Sequence, residues 1–338
     1  MNPRTMKTIL ILLCLATSAF ADPLGGITIS KNKQNQTVAT WKGSPKGKAG
    51  EARPLDEHVA ALAQHPEVEV IEFDGQMGGP GGLTGSGFAA LTGLPKLVEI
   101  RLNGINAANM NAPGGAVPFG SQGFTALARM KNLRTLSIQH ANVAVGDIAM
   151  LLRTSTSLEE LNTGTKFCDE LLAAAAEAPK LKKFVFGHWD NVPKDAPLTL
   201  NGYGKLAQMK HLEILSTGIR HPKDVPWSQL TPILGSIPKL RELTLIAAED
   251  EAKRKRGDPG PVPFTAADLA ALTKATTLTD LGIWHATLAP GSLAGLKNCR
   301  SLKSLTLRGT RFDEADLATL KQAIPGLKVQ IVGEPKQR

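Results

Sequence analysis

Tyrosine occurs once in this 338-residue chain, and aromatic residues of all kinds make up only 4% of it. That scarcity argues against two kinds of binder. Sugar faces usually stack on aromatic platforms, and so do the bases of single-stranded nucleic acid. Cysteine is nearly as rare, at three residues. Cys14 falls in an N-terminal apolar run, which leaves Cys168 and Cys299, too few for a disulfide framework. Motifs for chemistry are also missing. There is no serine-nucleophile motif, no glycine loop ending in Lys-Ser/Thr and no paired zinc-ligand spacing.

Long apolar runs are absent as well. The longest, Ile9 to Ala16, follows Arg4 and Lys7 and precedes Ala19-Phe20-Ala21, a small-x-small pattern. A bilayer-spanning helix needs about 20 apolar residues, so this run reads as a signal peptide. Residues 1–21 are expected to be removed after Ala21, giving a secreted or periplasmic product with no membrane span. Losing Arg4 and Lys7 lowers the formal charge from +9 to +7. A surplus of that size permits weak attraction to an anionic surface without demonstrating one. The one basic run, Lys253 to Arg256, sits between Glu249-Asp250-Glu251 and Gly257-Asp258-Pro259-Gly260, and reads as a solvated loop of mixed charge.

What the chain does have is a recurring frame, leucine-x-x-apolar-x-apolar. It appears in "LPKLVEIRLNG" from Leu94, "MKNLRTLSIQH" from Met130, "IPKLRELTLIA" from Ile237 and "CRSLKSLTLRG" from Cys299. Counting weaker copies there are ten, each preceded by an apolar stretch of helical spacing such as "FAALTGL" from Phe88 or "FTALARM" from Phe124. Between Val68 and Leu327 the units average about 29 residues. The frame resembles that of the leucine-rich-repeat family, and the helix in each unit is similar to its ribonuclease-inhibitor-like class.

The resemblance implies an α/β solenoid, curved and right-handed, with a parallel β-sheet on the concave face and helices on the convex face. It covers residues 58–333. Residues 22–57 are expected to form an N-terminal cap, with a β-hairpin over Gly26 to Trp41 and a joint from Gly43 to Pro54; residues 334–338 are a tail. One departure stands out. The family usually places asparagine or cysteine three positions past the second strand leucine, where this chain has Ile105, Ala141, Lys166, Ala286 and Thr310.

Helix anchor to strand anchor is nine residues in most units, for example Phe124 to Leu133 and Leu293 to Leu302. Strand to next helix instead runs from ten residues, Leu307 to Leu317, to twenty-four, Leu245 to Leu269. The extra length therefore leaves the sheet at one rim. These inserts are rich in glycine and proline, which make turns. Phe119 and Phe264 close two of them; they either plug the core beneath the loop or belong to a contact surface.

His140, His188 and His285 hold the same place in separate units. Strands spaced about 4.8 Å apart keep their rings too far apart for one metal ion. Cys168 and Cys299 are likewise too distant for a disulfide. No metal, cofactor or catalytic set is expected. Outward strand positions run Glu72, Arg101, Ser137, Asn162 onward, then Asp74, Asn103, Gln139 and, later, Ile246, Trp284 and Arg308. Glu72 and Arg101 are expected to pair. Ile246, Trp284, His285 and Arg308 form one candidate contact patch, and Arg101, Asn103 and Gln139 another, because tryptophan and arginine dominate many interfaces. Alternatively, Trp284 supports the insert over residues 247–263.

The expectation is a monomeric, non-catalytic exported protein that recognises a protein or peptide partner by its concave face and one looped rim, without nucleic acid. Two alternatives stand: an envelope structural protein or binder of an anionic surface polymer, and a hydrolase with an unrecognised rim site.

Overall fold

Each repeat frame forms one short strand, and the period-2 alternation decides which side chains go inward. The computed structural model describes residues 24–43, 55–74, 83–103, 119–139, 143–163, 168–186, 198–217, 225–246 and 263–333. The N-terminal segment, the joint, the tail, the cores of the long inserts and the Lys253–Arg256 run lie outside these residues.

Twelve strands make one sheet in strict sequence order. Strands β1 (Thr28–Lys31) and β2 (Thr37–Lys42) form the antiparallel hairpin expected at the N-terminal end. Its turn is closed by Asn32, whose side-chain oxygen accepts from the backbone N–H groups of Gln34 and Gln36. Strand β2 then pairs in parallel with β3 (Val70–Asp74), so the hairpin covers what would be a bare edge. From there every neighbour is parallel: β4 (Glu99–Asn103), β5 (Thr135–Gln139), β6 (Glu160–Thr163), β7 (Lys183–Phe186), β8 (Ile214–Thr217), β9 (Glu242–Ile246), β10 (Asp280–Trp284), β11 (Ser304–Arg308) and β12 (Lys328–Val332). The ten parallel strands β3–β12 correspond to the ten sequence units.

Inward pairs such as Ile71/Phe73, Ile100/Leu102, Leu136/Ile138, Leu243/Leu245 and Leu305/Leu307 are all buried. They meet apolar residues of the helical layer in one continuous core. That layer holds α1 (Asp56–Ala61), α2 (Ser121–Arg129), α3 (Val145–Thr154), α4 (Asp169–Glu177), α5 (Leu200–Gly204), α6 (Trp227–Gly235), α7 (Ala266–Ala271) and α8 (Glu314–Ala323). In the second and ninth units the expected α-helix is instead a narrower 3₁₀ helix, Ser86–Gly93 and Ser292–Leu296. Both begin after a glycine in the left-handed region, Gly85 and Gly291, which tightens the entry. The architecture implied by the resemblance, an α/β leucine-rich-repeat solenoid with helices on one face of the sheet, is the fold of this chain.

Phe119 and Phe264 are core plugs. Phe119 packs edge-on between Phe88 and Phe124, and Phe264 stacks on Trp227 with 4.1 Å between ring centroids. Cys168 and Cys299 are buried free thiols.

The missing asparagine ladder has a substitute. The carboxylate of Asp56, at the start of α1, accepts from Thr84 N–H (2.9 Å), Thr84 Oγ1 (2.6 Å), Gly85 N–H (3.0 Å) and Gly87 N–H (3.1 Å) in the next unit. Partial burial pushes its pKa up, but the Thr84 hydroxyl and three backbone donors outweigh that and hold the carboxyl below its ordinary value. Asp169 of α4 binds Thr199 N–H and Oγ1 in the same way, and Asp316 of α8 accepts from Gly291 N–H. Asp56 thus caps the helix of the next unit, while Asp169 and Asp316 hold the N-cap residue of a neighbouring one. Near the strand ends, Thr310 donates to Ile283 O at 2.8 Å across the unit boundary.

Candidate functional site

Among the described residues no helix or strand lies over the face of the sheet opposite the helices, and two or three outward positions per strand line it. Register fixes the columns. The middle one runs Glu72, Arg101, Ser137, Asn162, Val185 and on to Thr244, Gly282, Thr306 and Gln330. A column one step earlier in each strand runs Glu99, Thr135, Glu160, Lys183.

Between β4 and β7 these columns enclose a shallow concavity of about 320 Å³, lined by Glu99, Arg101, Thr135, Ser137, Gln139, Glu160, Asn162 and Lys183. Its ends are ion pairs. Arg101 Nε donates to Glu99 Oε1 at 2.6 Å and its guanidinium reaches Glu72 at 3.4 Å, as expected for that pair. At the other end Lys183 Nζ lies 3.1 Å from Glu160. The floor differs. The side chains of Thr135, Ser137, Gln139 and Asn162 are half-buried, and none has a hydrogen-bond partner among the described residues. They offer hydroxyl and amide donors and acceptors of the kind a peptide backbone carries.

Of the residues expected at this end, Arg101 and Gln139 line the concavity, while Asn103 sits beside it with Nδ2 donating to Asp74 at 2.7 Å. Glu99, Thr135, Glu160 and Lys183 were not foreseen. The alternation that exposed the other two columns extends one residue upstream, to the position just before the first strand leucine, and would have found them.

The second patch is only partly exposed. Ile246 is only 2% exposed, although it is not part of the core cluster and shares its register with Trp284. An outward register position at a strand end is no guarantee of exposure. Trp284, its neighbour across the sheet, is half-buried, and its indole folds back over Gly282. Arg308 is exposed, and its guanidinium carbon lies 5.0 Å from the centroid of the Trp284 ring. His285 follows in the left-handed region, φ 52°, with its imidazole against Gly309. Structure thus gathers Trp284, His285 and Arg308 without Ile246. His140 and His188 lie outside the described residues.

A wider hollow of about 620 Å³ lies on the helical side, between the Ser86–Gly93 helix and α2, where the slimmer 3₁₀ segment fails to fill the layer. Among the described residues no three His, Cys, Asp or Glu side chains gather as a metal site, and no helix is long and apolar enough to cross a membrane.

Comparison with known proteins adds little beyond the fold. No known family profile matches the sequence, and no curated protein matches it significantly. Among solved structures, an internalin from Listeria monocytogenes aligns over 91% of this chain and 87% of its own, at 16% identity and a TM-score of 0.42. A Bacteroides fragilis protein aligns over 81% and 67%, at 12% identity and a TM-score of 0.45. The assignment of the fold rests on the strand order, the register and the ten-unit core of this chain itself.

Proposed function

We propose that this chain is a non-catalytic, exported recognition scaffold that binds a protein or peptide segment along the open face of its sheet. The observation that carries the reading is the concavity over β4–β7. Its charges close on one another at the two ends, and between them lie four half-buried, uncharged polar side chains with no protein hydrogen-bond partner among the described residues. Such a floor suits an extended main chain, whose N–H and C=O groups need neutral donors and acceptors rather than charge. The N-terminal segment with its small-residue cleavage pattern supports export, and the helix in most units supports the ribonuclease-inhibitor-like class. A polymer of anions is less well served, since Arg101 and Lys183 on this face are already held by carboxylates.

The test is panning a displayed random-peptide library with the protein, against a double variant, Ser137→Arg with Asn162→Arg, that fills the floor. Enriched sequences that bind the parent and lose the variant are expected. No enrichment, or enrichment that ignores the two arginines, would sink the reading.

A further inference from the structure

Two arginines are borne by the parallel strands β3–β12, and they are treated differently. Arg101 is clamped by Glu99 and Glu72. Arg308 has no carboxylate partner among the described residues, yet it is not loose. Its guanidinium rests 5.0 Å from the centre of the Trp284 ring, on the neighbouring strand in direct register. The nearest acid on β10, Asp280, stands four residues before Trp284 and accepts from the Thr279 hydroxyl at 2.6 Å.

The platform itself is built. Trp284 lies over Gly282 at close range: a Cβ there would sit 3.2 Å from the indole Nε1 and 3.1 Å from Thr244 Oγ1, so the ring would have to give a little. The indole Nε1 is buried and has no hydrogen-bond partner among the described residues. A guanidinium stacked on an aromatic ring loses little of its donor capacity, since its N–H groups point outward in its own plane. Held in place and without a carboxylate partner among the described residues, that planar fork matches a carboxylate, which it can grip with two parallel hydrogen bonds. One such cation also suits one such anion. A phosphate group or a nucleic-acid backbone would call for several cations together, and Val332 is the register neighbour on the far side.

We infer that Arg308, positioned by Trp284 over Gly282, is the docking point for a carboxylate of the bound partner, either that of an acidic side group or the terminal carboxylate of a peptide. This rests on the recognition role proposed above and assigns one chemical group within it.

Three capped peptides test it against the ¹⁵N-labelled protein: acetyl-Gly-Gly-Glu-Gly-Gly-amide, acetyl-pentaglycine with a free carboxylate, and acetyl-pentaglycine amide. The readout is the Arg308 Nε–H and Trp284 Nε1–H resonances. At least one acidic peptide is expected to shift both, and which of the two does so names the source of the carboxylate; the neutral amide leaves them in place. Arg308→Gln and Arg308→Lys should each weaken binding about tenfold or more, the lysine keeping the charge but losing the fork. Gly282→Ala should weaken it only modestly, by nudging the indole. No shift with either acid up to tens of millimolar, equal shifts with the neutral peptide, or equal affinity in Arg308→Gln overturns the inference. If library panning succeeds and depends on Ser137 and Asn162 while these probes fail, the recognition role stands and the carboxylate site falls. If the acids bind and panning yields nothing, the site stands and peptide recognition falls.

Discussion

Replacing Asp56 with alanine tests whether units are held together by carboxylates reaching across their joints. The side chain accepts four hydrogen bonds from the following unit, all within 3.1 Å. A hydrogen bond to a charged group contributes about 1.5–3 kcal/mol. Four such values cannot be added, because the donors share one charge and the site is partly open to water. Loss of a single N-cap costs about 0.5–2 kcal/mol. Asp56→Ala should therefore destabilise the joint by about 2–4 kcal/mol, and Asp56→Asn by about half as much, since one oxygen acceptor survives.

The loss should be local, because each unit contacts chiefly its neighbours. Urea unfolding at neutral pH should show the N-terminal hairpin and first unit departing early. Hydrogen exchange should quicken in β1–β3 well before β5–β12. The pH dependence has a definite sign. A carboxyl whose pKa is depressed by folding stabilises the native state above its unfolded pKa, and that contribution fades as pH falls through the folded value. The gap between parent and Asp56→Ala should thus be full at pH 7 and close below about pH 4. A variant within about 0.5 kcal/mol of the parent at pH 7, or loosening spread evenly over all strands, would refute the joint argument.

Three further outcomes are expected. Tyr203, the sole tyrosine, is buried, and burial followed by the nearby charge of Asp169 raises its pKa well above the ordinary value near 10. Its absorbance near 295 nm should stay flat through pH 10 and rise only with unfolding; the stability it contributes is present below that pH and lost as pH climbs, and a reversible native titration at pH 10 contradicts this. Gly235→Ala would place a Cβ 2.2 Å from the Ala271 carbonyl oxygen, so it should cost about 1–3 kcal/mol in thermal or urea melts; a neutral result means α6 and α7 can part without penalty. Phe264→Ala removes a fully buried ring stacked on Trp227 and should cost about 3–5 kcal/mol by the same measurement, whereas a change below about 1 kcal/mol would mean Phe264 belongs to the insert and not to the core.

The strands were legible because their rule is local. Leu305 and Leu307 alternate with Thr306, and alternation alone says which face each takes. The Glu72–Arg101 pair followed from the register. What eluded sequence reading was decided by neighbours. Ile246 and Arg308 hold equivalent strand positions, yet one is buried and the other exposed. The 3₁₀ form of Ser86–Gly93 turns on the left-handed entry at Gly85, while the apolar spacing of that stretch is helical either way. The bond from Asp56 to Thr84 spans 28 residues and left no periodic trace, because Asp169 and Asp316 do the equivalent work in differently spaced units.

The strict sequential order of the twelve strands has a mechanical consequence. Its core is continuous, but each unit touches chiefly its neighbours, so pulling on the two ends need not rupture it all at once. Tension should strip it from either extremity, one turn of the coil at a time. Each event would release about 29 residues, or roughly 100 Å of slack at about 3.4 Å per residue. A protein that yields in such modest, repeatable increments behaves as an extensible tether, able to lengthen under load while the remainder stays wound.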